Sequence, residues 1–191
     1  MKRSEVNAAL ARAMRCFAEH EWALPPNPGW DVTDFGLGDF SRYGAVLVNL
    51  AQEEEYSEKV IYMTYRQAIP NHCHRRKKED IICRVGVISV QLFFGQPGKW
   101  DAEGVIQINN VKRPHRSGDV VHLRAGERVT IPPPVYHEFW ALSDEAIVGE
   151  VSTKNDDLHD NFFVNPRVGR FPKVEEDEPP LVWLVSERTA G

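Results

Sequence analysis

"NHCHRRKKEDIICRVG", residues 71–86, decides how the rest of the chain reads. In a β-strand, residues two apart project to the same face, so His72 and His74 aim two imidazoles at one point while Cys73 turns away. Four cations follow, Arg75 to Lys78, and Glu79 then opens an alternating apolar stretch. A short bend there returns a carboxylate beside the two imidazoles. Imidazole nitrogens and a carboxylate oxygen suit Mn²⁺, Fe²⁺, Co²⁺, Ni²⁺ or Zn²⁺ better than Ca²⁺ or Cu⁺. Alone, the pattern reads more simply as two surface histidines on an edge strand, with Glu79 balancing the cations. His137 shifts that balance. It lies in "GERVTIPPPVYHEFW", residues 126–140, where proline-rich turn chemistry delivers a fourth ligand type to the start of another strand.

Outward from this stretch, the chain is dominated by period-two segments. "GAVLVNL" (44–50), "KVIYMTYR" (59–66), "EDIICRVGVISVQLFF" (79–94), "GVIQIN" (104–109), "GDVVHLR" (118–124), "RVTIP" (128–132), "HEFWAL" (137–142) and "AIVGEVS" (146–152) are short, β-rich and separated by Gly, Pro, Asn or Asp. They predict an all-β, mostly antiparallel barrel or double sheet. Before them, Val6, Leu10, Met14, Phe17 and Glu21 recur at spacings of three and four, predicting a helix over 4–22 with Ser4 as its N-cap. "LPPNPG" (24–29) stops it. Near the C-terminus, "VEEDEPP" reads as a solvated surface segment and "LVWLVS" as an added edge strand.

The 191 residues suffice for one domain. It divides into an N-terminal helical extension (1–30), a β-barrel (31–165) and a tail packing on it (166–191). A net charge of −5 argues against a nucleic-acid partner, and no apolar run is long enough to span a membrane. Arg12 and Arg15 interrupt any secretory signal, and Cys16, Cys73 and Cys83 read as free thiols. A cytoplasmic setting is expected.

The spacing of His72, His74, Glu79 and Gly86, with that of Gly126, Pro132 and His137, resembles the two motifs of the cupin superfamily. Pro134, Ala141 and Arg66 depart from those motifs at positions that hold no metal ligand. The resemblance implies a double-stranded β-helix, the jelly-roll barrel, with His72, His74, Glu79 and His137 holding a metal ion. Four protein ligands on a six-coordinate ion would leave two adjacent positions for substrate oxygens. Oxygen activation at Fe²⁺ and proton transfer between neighbouring carbons of a sugar both remain open on the ligands alone.

"DFGLGDFSRYGAVLVNL", "PNHCHRRKKEDIICRVG", "VTIPPPVYHEFW", "GEVST" and "NDDLHDNFFVNPRVGRFPKVEEDEP" together resemble the D-lyxose isomerase family of cupins. That resemblance implies an Mn²⁺-dependent, homodimeric aldose–ketose isomerase acting on D-lyxose and D-xylulose, and on D-mannose and D-fructose. It also implies that Lys77 is catalytic, either donating to a substrate oxygen or, with a pKa lowered by desolvation beside the ion, shuttling a proton. Glu150, a carboxylate amid an apolar strand, is the expected base, with Glu175 or Glu176 as alternatives across an insecure alignment. Asp160 and Arg170 are natural partners for sugar hydroxyls, and equally natural ion-pair partners on a surface turn. His159 reads as a surface or supporting group, and His20, His115 and His122 receive no role. An Fe²⁺-dependent cupin dioxygenase and a non-catalytic sugar-binding cupin are the competing functions.

Overall fold

Residues 1–169 and 173–188 are described by a computed structural model. The first helix, α1 (Arg3–Glu19), buries Val6, Ala9, Leu10, Ala13, Cys16 and Phe17 along one stripe. It begins two residues earlier than Ser4 predicts. Lys2 is the N-cap, and Glu5 accepts its backbone N–H at 2.7 Å. Ser4 is engaged elsewhere: its backbone N–H and hydroxyl both donate to Asp177, at 2.9 and 2.7 Å. Glu21 falls beyond the helix, at a positive φ of 53°.

Among the described residues thirteen strands follow, arranged in two antiparallel sheets. The larger sheet carries, in spatial order, β1 (Gly29–Thr33), β2 (Ala45–Gln52), β3 (Tyr56–Thr64), β12 (Glu145–Thr153), β5 (Glu79–Val85), β10 (Arg128–Ile131), β7 (Glu103–Ile108) and β8 (Val111–Arg116). The smaller runs β13 (Phe162–Phe163), β4 (Ala68–Cys73), β11 (Tyr136–Ala141), β6 (Val87–Phe93) and β9 (Val120–Arg124). One core, including Ile61, Ile81 and Val148 from the larger sheet with Val90, Leu92 and Phe139 from the smaller, joins the two. On its other face the larger sheet packs Val46, Val48, Val60 and Tyr62 against α1. Each large aliphatic or aromatic side chain buried there contributes about 1.5–3 kcal/mol.

The apolar run 79–94 is two strands rather than one. Gly86 has φ +79°, and a Cβ there would lie 2.2 Å from Ser143 Oγ. Only glycine makes this turn without strain, and it passes the chain from β5 in one sheet to β6 in the other.

Three strands lack the expected sequence pattern. β1 begins at Gly29, inside the stretch read as a helical extension. β8, "VKRPHR", is almost wholly exposed at the sheet's edge, where Pro114 is tolerated and alternation is lost. β13 has only two residues. The expected C-terminal edge strand is absent among the described residues. Instead Leu184 is buried against the α1 layer, its N–H donates to Glu187 at 2.9 Å, and a short helix, α2 (Val185–Arg188), follows.

Candidate metal centre and active site

Register places the key side chains before any side-chain geometry is considered. His137 in β11 stands directly opposite His72 in β4, and Glu150 in β12 directly opposite Lys59 in β3. Glu79 opens β5, the other neighbour of β12. The smaller sheet thus offers imidazoles and the larger sheet carboxylates and a lysine. His74 lies one residue past β4, in the bend that crosses between the sheets.

His72, His74, Glu79 and His137 are all buried, and one ligand atom from each lies within 4.8 Å of every other. Each imidazole is oriented through Nδ1, which faces a backbone carbonyl: Pro70 at 2.8 Å for His72, Asp160 at 2.7 Å for His74 and Val135 at 3.2 Å for His137. A carbonyl only accepts, so Nδ1 carries the proton and Nε2 presents a lone pair. His74 Nε2 and His137 Nε2 lie 3.2 and 2.9 Å from Glu79 Oε1, and none of these three buried atoms makes a hydrogen bond. Converging lone pairs repel unless a cation lies between them. The donor set therefore fits a divalent metal ion of the borderline class.

Protonation agrees with that fit. Burial, reinforced by His137 and His74, holds the His72 imidazole well below its usual pKa. Burial opposes ionisation of Glu79, but the Lys77 ammonium outweighs it and holds the carboxyl well below its usual range. Neutral imidazoles and an ionised carboxylate are the forms a metal takes.

Lys77 is the one cation of the 75–78 run that turns inward, 4% exposed. Asp160 makes it do so: its carboxylate accepts the backbone N–H groups of Arg75, Arg76 and Lys77 at 3.0, 3.2 and 2.9 Å. Arg76 reaches out to Asp156 and Arg75 lies over the Phe162 ring. Inside, Lys77 Nζ donates to Glu150 Oε1 at 2.8 Å and sits 2.9 Å from Glu79 Oε2. Burial works against its charge, yet the two carboxylates raise its pKa above the ordinary lysine range. Two anions within hydrogen-bond reach outweigh desolvation.

Glu150 points inward with Val148 and Ser152, and lines one cavity with His72, Lys77 and Glu79. Glu175 and Glu176 do not line it. Glu176 pairs with the buried Arg3 at the start of α1, with Arg3 Nε donating at 2.9 Å, and Glu175 is exposed. Asp160 is buried at the same bend. Its carboxylate accepts the three amides and its carbonyl faces His74 Nδ1, so it organises the bend and orients that imidazole. Arg170 lies outside the described residues. His159 is exposed and pairs with Asp156.

Two charged cavity residues had no sequence-based role: Lys59, 5% exposed in the middle of the larger sheet, and Asp157, whose carboxylate lies 3.3 Å from Lys59 Nζ. Parity carried the signal for Lys59, which shares a face with Ile61 and Met63 of the core between the sheets.

Two antiparallel sheets with histidine and glutamate ligand types gathered between them define a cupin-type fold. A profile described as D-lyxose isomerase matches residues 27–188. A D-lyxose/D-mannose isomerase of Escherichia coli is 33% identical over 98% of both chains. A D-lyxose ketol-isomerase of a Thermofilum species is 34% identical over 75% of this chain and 81% of its own. The chain belongs to the D-lyxose isomerase family. Among solved structures, an Acinetobacter L-ribose isomerase in complex with L-ribose has a TM-score of 0.67 at 16% identity, covering 88% of this chain and 94% of that one. A Cellulomonas parahominis L-ribose isomerase with L-ribose has a TM-score of 0.65 at 18% identity, with the same coverage. At such identities the likeness is one of fold.

Proposed function

We propose that the protein is a metal-dependent aldose–ketose isomerase that interconverts D-lyxose with D-xylulose and D-mannose with D-fructose. The observation that carries this reading is Lys77, clamped between Glu79 and Glu150 beside the histidine cluster. An acid and a base are thereby held next to a site suited to a divalent cation. The names of the relatives supply the sugars.

A divalent cation held by His72, His74, Glu79 and His137 would supply positive charge against the negative charge that develops on the sugar's first two oxygens. Glu150 takes the proton from C2 of the open-chain aldose and returns it to C1. Lys77, held as the ammonium, gives a proton to O1 and recovers one from O2. The net change is one hydrogen moved between carbons and one between oxygens, and no oxidant is consumed. Phe35, Phe139 and Phe163 line the same cavity and limit water there.

Mn²⁺ is the proposed ion, supported by the nitrogen–oxygen donor set, with Co²⁺, Fe²⁺, Ni²⁺ or Zn²⁺ as chemically similar occupants. A homodimer is proposed from the family resemblance. A cytoplasmic setting is proposed from three buried free cysteines. No described helix is long and apolar enough to cross a membrane.

The test is metal-stripped protein resupplied with Mn²⁺ and offered D-lyxose or D-mannose in D₂O, with ketose formation and deuterium incorporation followed by NMR beside an oxygen electrode. Isomerisation without oxygen uptake is expected. Oxygen consumption, or sugar bound and never converted, would replace this reading with a dioxygenase or a binding protein.

A further inference from the structure

We propose that Lys59 and Asp157 determine substrate specificity by gripping the hydroxyl groups beyond the two reacting carbons of the open-chain sugar, a proposal that rests on the isomerase reading. The first observation is spatial. The reaction cavity has a volume of about 80 Å³. A second chamber of about 130 Å³ adjoins it. Phe35, Leu47, Lys59, Asp157, Asn161 and Phe163 line both, so they form the passage between the two. A sugar whose first carbons sit by Glu150 and Lys77 has these side chains beside its remaining carbons.

The second observation is chemical. Lys77 has two short carboxylate contacts, at 2.8 and 2.9 Å. Lys59 is equally buried, yet its nearest carboxylate oxygens are those of Asp157, at 3.3 and 3.4 Å, with Glu150 Oε1 at 3.9 Å. A buried ammonium with three donors and only long contacts is incompletely matched by the protein. Sugar hydroxyls in the passage complete the match, accepting from Lys59 and donating to Asp157.

The Asp157 carboxylate is held in place from two sides, by Asn155 and Asn161, which donate to it at 2.8 and 3.2 Å. Farther in, Asp31 accepts the Ser186 hydroxyl at 2.9 Å, giving the second chamber a polar end suited to a sixth carbon and its hydroxyl. The apolar walls, Phe35 and Phe163 among them, match the C–H faces of the sugar. A site built to bond a hydroxyl rejects an analogue lacking it, because its charged groups are then left unpaired.

The test compares wild type, Lys59→Met and Asp157→Asn, each loaded with Mn²⁺, on D-lyxose and its 3-deoxy and 4-deoxy analogues. Wild type should lose kcat/KM roughly ten- to hundredfold on at least one analogue, as expected for a lost hydrogen bond to a charged group. Each variant should show a comparable rise in KM for D-lyxose, keep kcat within about threefold, and no longer distinguish parent from analogue. Asp157 is partly exposed on a loop, so its variant keeps the test decisive should Lys59→Met fail to fold. Variants that retain the wild-type discrimination overturn this proposal alone. Wild type inactive on every aldose overturns the isomerase reading and this proposal with it.

Discussion

Lys77 Nζ donates to Glu150 Oε1 at 2.8 Å, across the gap between the inter-sheet bend and β12. The same ammonium reaches Glu79, so a single buried cation links the carboxylate aimed at the histidine cluster to the carboxylate that faces the substrate cavity. The proposed metal site and the proposed proton-transfer pair therefore share one electrostatic unit.

Glu150→Gln keeps the shape and a hydrogen bond to Lys77 while removing the proposed base. Turnover of D-lyxose should fall about 10²–10⁴-fold with metal content unchanged. Near-normal turnover would assign proton abstraction to another group.

Lys77→Met deletes the proposed acid and leaves two buried carboxylates without their shared counter-charge. A loss of about 10²–10³-fold in kcat is expected. Lys77→Arg should not restore it, because a planar guanidinium cannot replace a compact ammonium between two fixed oxygens. Steady-state kinetics on protein of verified metal content checks both.

Asp160→Ala removes the acceptor of three backbone N–H groups and should destabilise the fold by about 2–4 kcal/mol, with activity lost as Lys77 swings out. The effect depends on pH. Burial opposes ionisation of Asp160, but the amides of Lys77, Arg75 and Arg76 outweigh it and hold the carboxyl below its ordinary value of 3.8. The unfolded chain thus binds the proton first. The stabilisation is complete above pH 3.8 and is lost as pH falls below it. Denaturant titrations of both proteins should converge under strongly acidic conditions.

Gly86→Ala places a methyl group against Ser143 Oγ and Glu145 O at a left-handed φ. A loss of about 2–4 kcal/mol in urea denaturation is expected. A neutral result would show that the sheet crossover tolerates a side chain.

Much of this was legible from periodicity and spacing. Strands with one buried face announce themselves by alternation, and the motif spacing from His72 to Gly86 brought residues from two sheets to one point. What was illegible had physical causes. The split at Gly86 follows from a backbone angle inside a continuous apolar run. β8 is exposed on both faces and has no pattern to show. Asp160 has the chemistry of a sugar ligand, but its acceptors meet amides of a distant bend, a pairing that sequence spacing does not encode. Lys59 lay on the inward face of β3 by parity, masked because a lone lysine in a strand is ordinarily a solvated one.

The central claim is that His72, His74, Glu79 and His137 hold one divalent cation, and anomalous diffraction from Mn²⁺-loaded crystals tests it most directly. The account predicts a single strong manganese peak at bonding distance from all four side chains, absent in crystals of His137→Ala. A peak elsewhere, or none at saturating Mn²⁺, would contradict it.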